Sequence, residues 1–219
     1  MTSPGDIRPD TTALLVVDVQ PDFMPGGALP VAGGDELVEP ISALMHGDRF
    51  AHRVATQDWH PSGHVSFASS HEGQRPFDTI ELNGHEQVLW PDHCVQGTAG
   101  AALHADLPLG RFDMIQRKGM RPDVDSYSGF SENWNAAGGR PPTGLGGWLR
   151  ERGVTDVLVC GLARDVCVAW TAQDAAEAGF RSWCLWDLSR SVDPDGDAEL
   201  RRTLADAGVQ VIESADLVA

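Results

Sequence analysis

The sequence lacks any long apolar stretch and is poor in basic residues. Nowhere in its 219 residues is there an uninterrupted apolar run of the roughly 18 to 20 residues that a membrane-spanning helix needs. Lysine and arginine number 16 against 32 aspartates and glutamates, which gives a formal net charge of −16. Because such a chain repels nucleic acid and anionic membranes, we expect neither as a partner.

Cysteine is also scarce, and its spacing excludes a zinc knuckle. The four cysteines form no CxxC pair. The segment Met1–Thr12 carries proline, glycine and two aspartates instead of a charged-then-apolar signal pattern. We therefore expect a cytoplasmic protein with free thiols, although an even cysteine count would also allow two disulfides in a secreted one. The cysteines are Cys94, Cys160, Cys167 and Cys184.

Short apolar runs that alternate with helical patterns predict an α/β fold. With a hydrophobic fraction of 42%, no internal repeat and no linker, the sequence predicts one domain over 1–219. Continuous apolar strands between helices favour a mostly parallel sheet covered on both faces. The predicted strands are 13–17, 51–56, 111–116, 157–160, 181–186 and 209–212, and the predicted helices are 35–45, 145–152, 165–178 and 197–207. The stretches 61–98 and 119–143 are predicted to be irregular, and the first is rich in histidine and aromatic residues.

Ligands of open parallel sheets bind outside the carboxyl ends of the strands. Asp18 closes the first strand, where burial would raise its pKa towards that of a general base. An aspartate that only caps the next turn fits this position equally well. Lys118 follows another predicted strand, and alone it is more typical of a solvated surface charge.

Cys167 follows the strand that ends in Cys160-Gly161. If the predicted helix begins near Asp165, Cys167 lies in its first turn, where free N–H groups stabilise a thiolate or a developing oxyanion. A small core thiol is the commoner fate of a lone cysteine, and Cys160, in mid-strand, is predicted to have that role.

Histidines and a carboxylate cluster in two loop segments, DWHPSGH and WPDHC. Asp58 and His60 are two residues apart, so both side chains point to the same side of an extended segment. With His93 and the additional His64, they suit a divalent metal with an open coordination position. The remaining histidines are interpreted as incidental to the site.

These segments together resemble the isochorismatase-like hydrolase superfamily, and within it the nicotinamidases (pyrazinamidases). The resemblance spans nearly the whole chain, from VVDVQPDF through ATQDWHPSGHVSFAS, LWPDHCVQGTAGAALH and KGMRPDVDSYSGF to CGLARDVCV. It implies a three-layer fold with a six-stranded sheet flanked by helices. It also implies hydrolysis of nicotinamide, and of pyrazinamide, through a cysteine thioester, as in NAD salvage.

The same resemblance implies roles for individual residues. Asp18, Lys118 and Cys167 would form the catalytic triad. The backbone N–H groups of Ala163 and Cys167 would hold the oxyanion, beside a cis peptide at Leu162–Ala163. A divalent metal, zinc in the first instance with iron or manganese as alternatives, would position the ring nitrogen of the substrate. Its ligands would be Asp58, His60 and His93, with His64 as a further ligand, and Phe23, Trp90 and Tyr127 would line the substrate pocket.

Two residues depart from the family pattern, and two other functions compete with this one. Arg164 stands where threonine is common, and Val166 replaces an aromatic residue or histidine, so substrate range or rate is expected to differ. One rival function is a related hydrolase that acts on another small amide, a carbamoyl compound or an enol ether. The other is a catalytically silent metal-binding or interaction protein. The sequence leaves open which metal is native and whether the chain forms a homo-oligomer.

Overall fold

A computed structural model describes residues 4–217, so the ends of the predicted 1–219 domain lie outside the described residues. Six parallel strands form one sheet in the order β5-β2-β1-β6-β7-β8. The predicted α/β fold with a six-stranded parallel sheet is confirmed. The strands of this sheet are β1 (Thr12–Val17), β2 (His52–Asp58), β5 (Met114–Lys118), β6 (Asp156–Leu162), β7 (Arg181–Arg190) and β8 (Gln210–Ile212).

Four α-helices cover the two faces of this sheet: α1 (Val38–His46), α2 (Leu145–Glu151), α3 (Ala169–Glu177) and α4 (Asp197–Asp206). Strand β1 is buried at every position, and its side chains alternate between two cores. Leu14 and Val16 pack with α1, whereas Leu15 packs with α2, α3 and α4. This burial on both faces explains why β1 and β6 are continuously apolar and not alternating. Among residues 4–217, no helix combines the length and the apolar character needed to cross a membrane.

The stretch 61–98 contains an element that the sequence analysis missed. Strands β3 (Thr79–Leu82) and β4 (His85–Val88) pair antiparallel as a separate hairpin. Its two-residue turn, Asn83-Gly84, has φ of 54° and 82°. An Asn-Gly pair is the usual signal of a type I′ hairpin turn, in which both central residues have positive φ. That signal was present in the sequence.

Strand order reverses between β1 and β6, because β1 lies between β2 on one side and β6 on the other. A crevice therefore opens at the carboxyl ends of these two strands. Asp18 follows β1, Asp58 ends β2, Lys118 ends β5, and the segment 163–168 follows β6. The fold thus brings residues from distant parts of the sequence to the same edge of the sheet.

Candidate active site

The ammonium group of Lys118 is the centre of the site. Its Nζ lies 2.9 Å from Asp18 Oδ2 and 2.8 Å from Asp58 Oδ1. It also donates hydrogen bonds to the Ser126 carbonyl at 3.1 Å and to Cys167 Sγ at 3.3 Å. The structure therefore brings Asp18, Lys118 and Cys167 together, all of them buried.

Lys118 has three protons but four neighbours. Its hydrogen bonds go to Asp58, Ser126 and Cys167. Asp18 Oδ2 faces the same ammonium group at 2.9 Å and has no other partner among the described residues. This oxygen retains a free lone pair, which is what a proton acceptor needs.

Asp18 is held in an unusual backbone conformation, with φ of 47°. Positive φ is uncommon for a residue with a side chain. The Thr56 hydroxyl accepts a hydrogen bond from the Asp18 N–H at 3.2 Å and donates one to Asp18 Oδ1 at 2.6 Å. On the other side, Gly161 approaches β1 so closely that a Cβ would lie 2.1 Å from the Val17 carbonyl oxygen, so only glycine fits there.

Cys167 lies in a π-helical turn, Arg164–Val168, that precedes α3. The predicted position of Cys167 in the first turn of a helix that begins near Asp165 is confirmed, but this turn is π-helical and not α-helical. The N–H groups of Val166 and Val168 both donate to the Ala163 carbonyl, at 3.2 and 3.0 Å. This bonding widens the turn because it competes with the regular i→i−4 ladder. The expected cis peptide at Leu162–Ala163 is present.

Burial and charge together shift the pKa values of these groups. Burial raises the pKa of Asp18, and Lys118 offsets this only in part. Burial also raises the pKa of the Cys167 thiol well above its ordinary value, against the opposing charge of Lys118. Burial would lower the pKa of Lys118, but the charges of Asp18 and Asp58 raise it well above its usual range. The site therefore combines a neutral thiol, a permanent ammonium charge and a carboxylate with increased basicity.

Asp58, His60 and His93 form a group with the geometry of a metal site. Asp58 Oδ2 lies 3.0 Å from His60 Nε2 and 3.2 Å from His93 Nε2. The Nδ1 atoms of His60 and His93 face the carbonyls of Gly119 and Pro91 at 3.0 and 2.7 Å, so they carry the protons.

In the neutral imidazoles, the two Nε2 lone pairs therefore face the same carboxylate oxygen. Lone pairs that converge in this way repel one another unless a cation lies between them. Carbonyls that accept the Nδ1 protons of metal-bound histidines are the usual second layer of such sites. The donor set thus fits a divalent cation, and His/carboxylate ligation admits zinc, iron or manganese.

One pocket connects the Cys167 thiol with the group formed by Asp58, His60 and His93. The pocket is lined by Cys167, Ala163, Asp58, His60 and His93, and also by Phe23, Trp90 and Tyr127. The Tyr127 hydroxyl accepts hydrogen bonds from Trp90 Nε1 at 3.2 Å and Gln87 Nε2 at 2.8 Å. The Cys167 thiol and the Asp58, His60 and His93 group therefore face the same pocket.

Comparisons with known proteins agree with this geometry. The isochorismatase domain profile matches residues 12–216. The chain belongs to the isochorismatase family. Within this family it is 47% identical to the nicotinamidase of Acinetobacter baylyi over 207 residues, which cover 94% of each chain. The resemblance inferred from the motifs is confirmed.

Two solved structures of the family extend the comparison. PnC1 from L. infantum, in complex with nicotinate, is 41% identical with a TM-score of 0.84, over 97% of this chain and 98% of that one. The pyrazinamidase of Pyrococcus horikoshii, in complex with zinc, is 35% identical with a TM-score of 0.75, over 93% and 99%.

His64 lies outside the group formed by Asp58, His60 and His93. It groups with His60 and Asp125 instead of with Asp58 and His93. Its Nδ1 lies 2.7 Å from the Ser66 hydroxyl, and its Nε2 lies 3.2 Å from the Val124 carbonyl. Protein groups contact both ring nitrogens, and the His64 ring packs against the His60 ring, at 4.3 Å between centroids, while the ligand atoms of His64, His60 and Asp125 also lie close enough together to hold a cation.

Asp125, a buried carboxylate that also lines the pocket, is not among the residues predicted from the sequence. It accepts hydrogen bonds from Gln87 Nε2 at 2.9 Å and from the Ser126 N–H at 2.8 Å. Asp125 lies inside the segment DSYSGF that carries the family resemblance. No periodic pattern distinguishes such a loop aspartate from a solvated one, so only the position within that motif indicated it.

The two departures from the family pattern have different surroundings. Val166 lines the pocket, together with Leu29 and Val192. Arg164 is buried away from the pocket lining, where it contacts the end of β7 and the start of α4. Of the two, only Val166 is placed to contact a substrate.

Proposed function

We propose that this protein is a nicotinamidase, which hydrolyses nicotinamide to nicotinate and ammonia. One observation carries the proposal. A thiol next to an ammonium–carboxylate pair, Cys167 with Lys118 and Asp18, shares a pocket with the cation ligands Asp58, His60 and His93. The nicotinamidase relative and the nicotinate-bound structure support the same substrate.

The reaction begins at Cys167. Asp18 accepts the thiol proton, a step that its raised pKa favours. The sulfur then bonds to the carboxamide carbon, and the carbonyl electron pair moves to oxygen. The N–H groups of Ala163 and Cys167 donate to that oxygen. Lys118 keeps its charge throughout and stabilises the anionic sulfur.

The tetrahedral intermediate then collapses. The carbon–nitrogen bond breaks, and the proton held by Asp18 leaves with the nitrogen as ammonia. Water attacks the thioester carbon while Asp18 accepts one of its protons. The carbon–sulfur bond then breaks, Asp18 returns that proton to the Cys167 sulfur, and the carboxylic acid loses its proton to solvent. Nicotinate is released.

The cation would be held by Asp58, His60 and His93. When bound, it supplies a positive charge that orients the ring nitrogen of the substrate. We propose zinc, as in the P. horikoshii structure, with iron or manganese as alternatives that the same donor set accepts.

Pyrazinamide, which also has a ring nitrogen meta to its carboxamide, should be a second substrate. The four free cysteines, all buried, suit a reducing compartment, and we propose the cytoplasm.

The test is ammonia release from nicotinamide, pyrazinamide and benzamide. Benzamide has nearly the same shape but no ring nitrogen, so it should be a poor substrate. Cys167→Ala should lower kcat at least about a thousandfold. Cys160→Ala, which removes a buried core thiol, should retain the wild-type kcat. No turnover of nicotinamide beside activity on another amide would favour the related-hydrolase alternative. Full activity of Cys167→Ala would overturn the nucleophile.

A further inference from the structure

Strand β7 contains a bulge directly beside the turn that carries Cys167. Val159 of β6 pairs with Cys184, but Gly161, two residues later, pairs with Ser189, five residues later. Three extra residues of β7 therefore have no pairing partner in β6. A bulge of this kind leaves backbone groups without their regular ladder partners.

Arg164 occupies this bulge. Its Nη2 donates to the carbonyls of Trp186, at 2.9 Å, and Ser189. Its Nε donates to the Ser189 hydroxyl at 3.0 Å, and its Nη1 pairs with Asp197 at the start of α4. The guanidinium also stacks on the Trp186 ring, at 4.0 Å from the centroid. Four of its five N–H groups are thus directed to fixed acceptors of a buried site.

The neighbouring residue makes a second connection. Asp165 accepts hydrogen bonds from the N–H groups of Val192 and Asp193, both at 2.9 Å. Val192 is a pocket residue. Arg164 therefore fastens the Cys167 turn to β7 and to the start of α4, and Asp165 fastens it to the segment after β7.

We propose that Arg164 is a positioning residue of the hydrolysis, an inference that rests on the proposed function. Arg164 follows Ala163 directly in the chain. The hydrogen bonds and the ion pair of the Arg164 side chain therefore fix the position of the Ala163 N–H and of the Cys167 turn. That N–H meets the substrate oxygen only when the oxyanion forms. Loss of the hold therefore lowers kcat and leaves ground-state binding nearly unchanged.

Lysine at position 164 separates this role from simple stability. Lysine keeps the charge, but a single ammonium cannot reproduce the planar fork that serves Trp186, Ser189 and Asp197 together. The matched control is Arg201→Lys. Arg201 stacks on the same Trp186 ring, at 3.8 Å, but it is about half exposed and pairs with Glu213.

The experiment measures kcat and KM for nicotinamide per folded molecule, with inhibition by nicotinate and by pyridine-3-carbaldehyde. The aldehyde carbon bonds to Cys167 Sγ, the thiol proton passes to the former carbonyl oxygen, and that oxygen then occupies the oxyanion position. Nicotinate makes no such adduct. Arg164→Lys should lower kcat by about 10- to 100-fold and weaken the aldehyde in parallel, with KM and nicotinate affinity within about threefold. Arg201→Lys should match the wild type in all four quantities.

If Arg164→Lys does not fold, Ser189→Ala removes one acceptor of the same guanidinium and should show the same division, with kcat down about three- to tenfold. Wild-type kcat per folded molecule in whichever of these variants folds would overturn the positioning role, since a purely structural residue changes only the folded fraction. A wild-type chain that leaves nicotinamide intact would instead overturn the proposed function, and this inference with it.

Discussion

Lys118 Nζ and Asp58 Oδ1 lie 2.8 Å apart, and this contact joins the two halves of the site. The other oxygen of the same carboxylate faces His60 and His93. One buried aspartate therefore contacts Lys118 with one oxygen and the two histidines of the proposed cation site with the other. Burial would raise the pKa of Asp58, but His60 and Lys118 lower it well below its ordinary value, so it remains ionised.

Asp58→Asn should consequently damage both functions. The variant loses a cation ligand and one of the two charges that surround Lys118. We expect kcat to stay below about 1% of wild type even at saturating metal, because an unpaired buried charge is costly. His93→Asn removes only a cation ligand, so excess metal should restore a substantial share of its turnover. The measurement is ammonia release across a metal titration, and equal rescue of both variants would contradict the dual role.

The histidines should differ in their effect on metal affinity. His64→Ala should weaken binding by less than about tenfold, because Ser66 and Val124 occupy both of its ring nitrogens. His93→Ala removes a free lone pair from the cation group and should weaken binding by about 100-fold or more. Competition against a chelator of known affinity gives both constants. An equal loss would make His64 a direct ligand.

Gly119 should be intolerant of a side chain for a reason specific to the cation group. A Cβ at this position would lie 2.4 Å from Cε1 of His60. Gly119→Ala should therefore displace His60 and lower metal affinity at least about tenfold. Gly63 is the control, since its φ of 73° resembles the 64° of Gly119 but no atom lies within 4 Å of the added Cβ.

Both substitutions place alanine at positive φ, and this strain alone should cost roughly 1 kcal/mol of folding free energy in each variant. Only Gly119→Ala should change the metal constant. Thermal unfolding and the chelator competition, run on the same samples, separate the two effects. A similar loss of affinity in Gly63→Ala would show that backbone strain alone is responsible.

The pH dependence of kcat/KM should report Asp18. The carboxylate must be ionised to accept the thiol proton, and burial raises its pKa above 3.8. Activity should therefore fall as the pH drops through that raised value. Thr56→Val removes the hydroxyl that donates to Asp18 at 2.6 Å and lowers its pKa. The acidic limb should then move upward by about one unit.

The profile is measured at saturating metal, so that cation loss does not shape the limb. Thr171→Val is the matched control. It also removes a buried hydroxyl, which accepts a hydrogen bond from the Gly129 N–H, but it does not contact Asp18. A limb that moves equally in both variants would assign the shift to general loosening of the core.

The strands and their carboxyl ends could be predicted because a strand that is buried on both faces has a continuous apolar sequence, as in β1 and β6. The rule that sites lie at the carboxyl ends of parallel strands then gave Asp18 and Cys167 as candidates. The group of possible metal ligands followed from residue type, since imidazole nitrogens and carboxylate oxygens are common ligands of zinc.

Other features depend on geometry that no local pattern records. Whether Cys167 begins an α-helix or lies in a π-turn is decided by which N–H groups reach the Ala163 carbonyl. Which nitrogens of His64 are free depends on Ser66 and Val124, and the latter is 60 residues away in sequence. The bulge that surrounds Arg164 arises from the register between two strands. Each of these is a tertiary contact.

The shared position of Lys118 also has a consequence for how the chain folds. Its carboxylate partners, Asp18 and Asp58, lie at the ends of β1 and β2, and the Cys167 turn follows β6, which pairs with β1 on the side away from β2. A folding intermediate that buried only one of these charges would bear its desolvation cost without its partner. Assembly of the central strands should therefore be all-or-none, and enzymatic activity should return on refolding only together with the last long-range strand pairing.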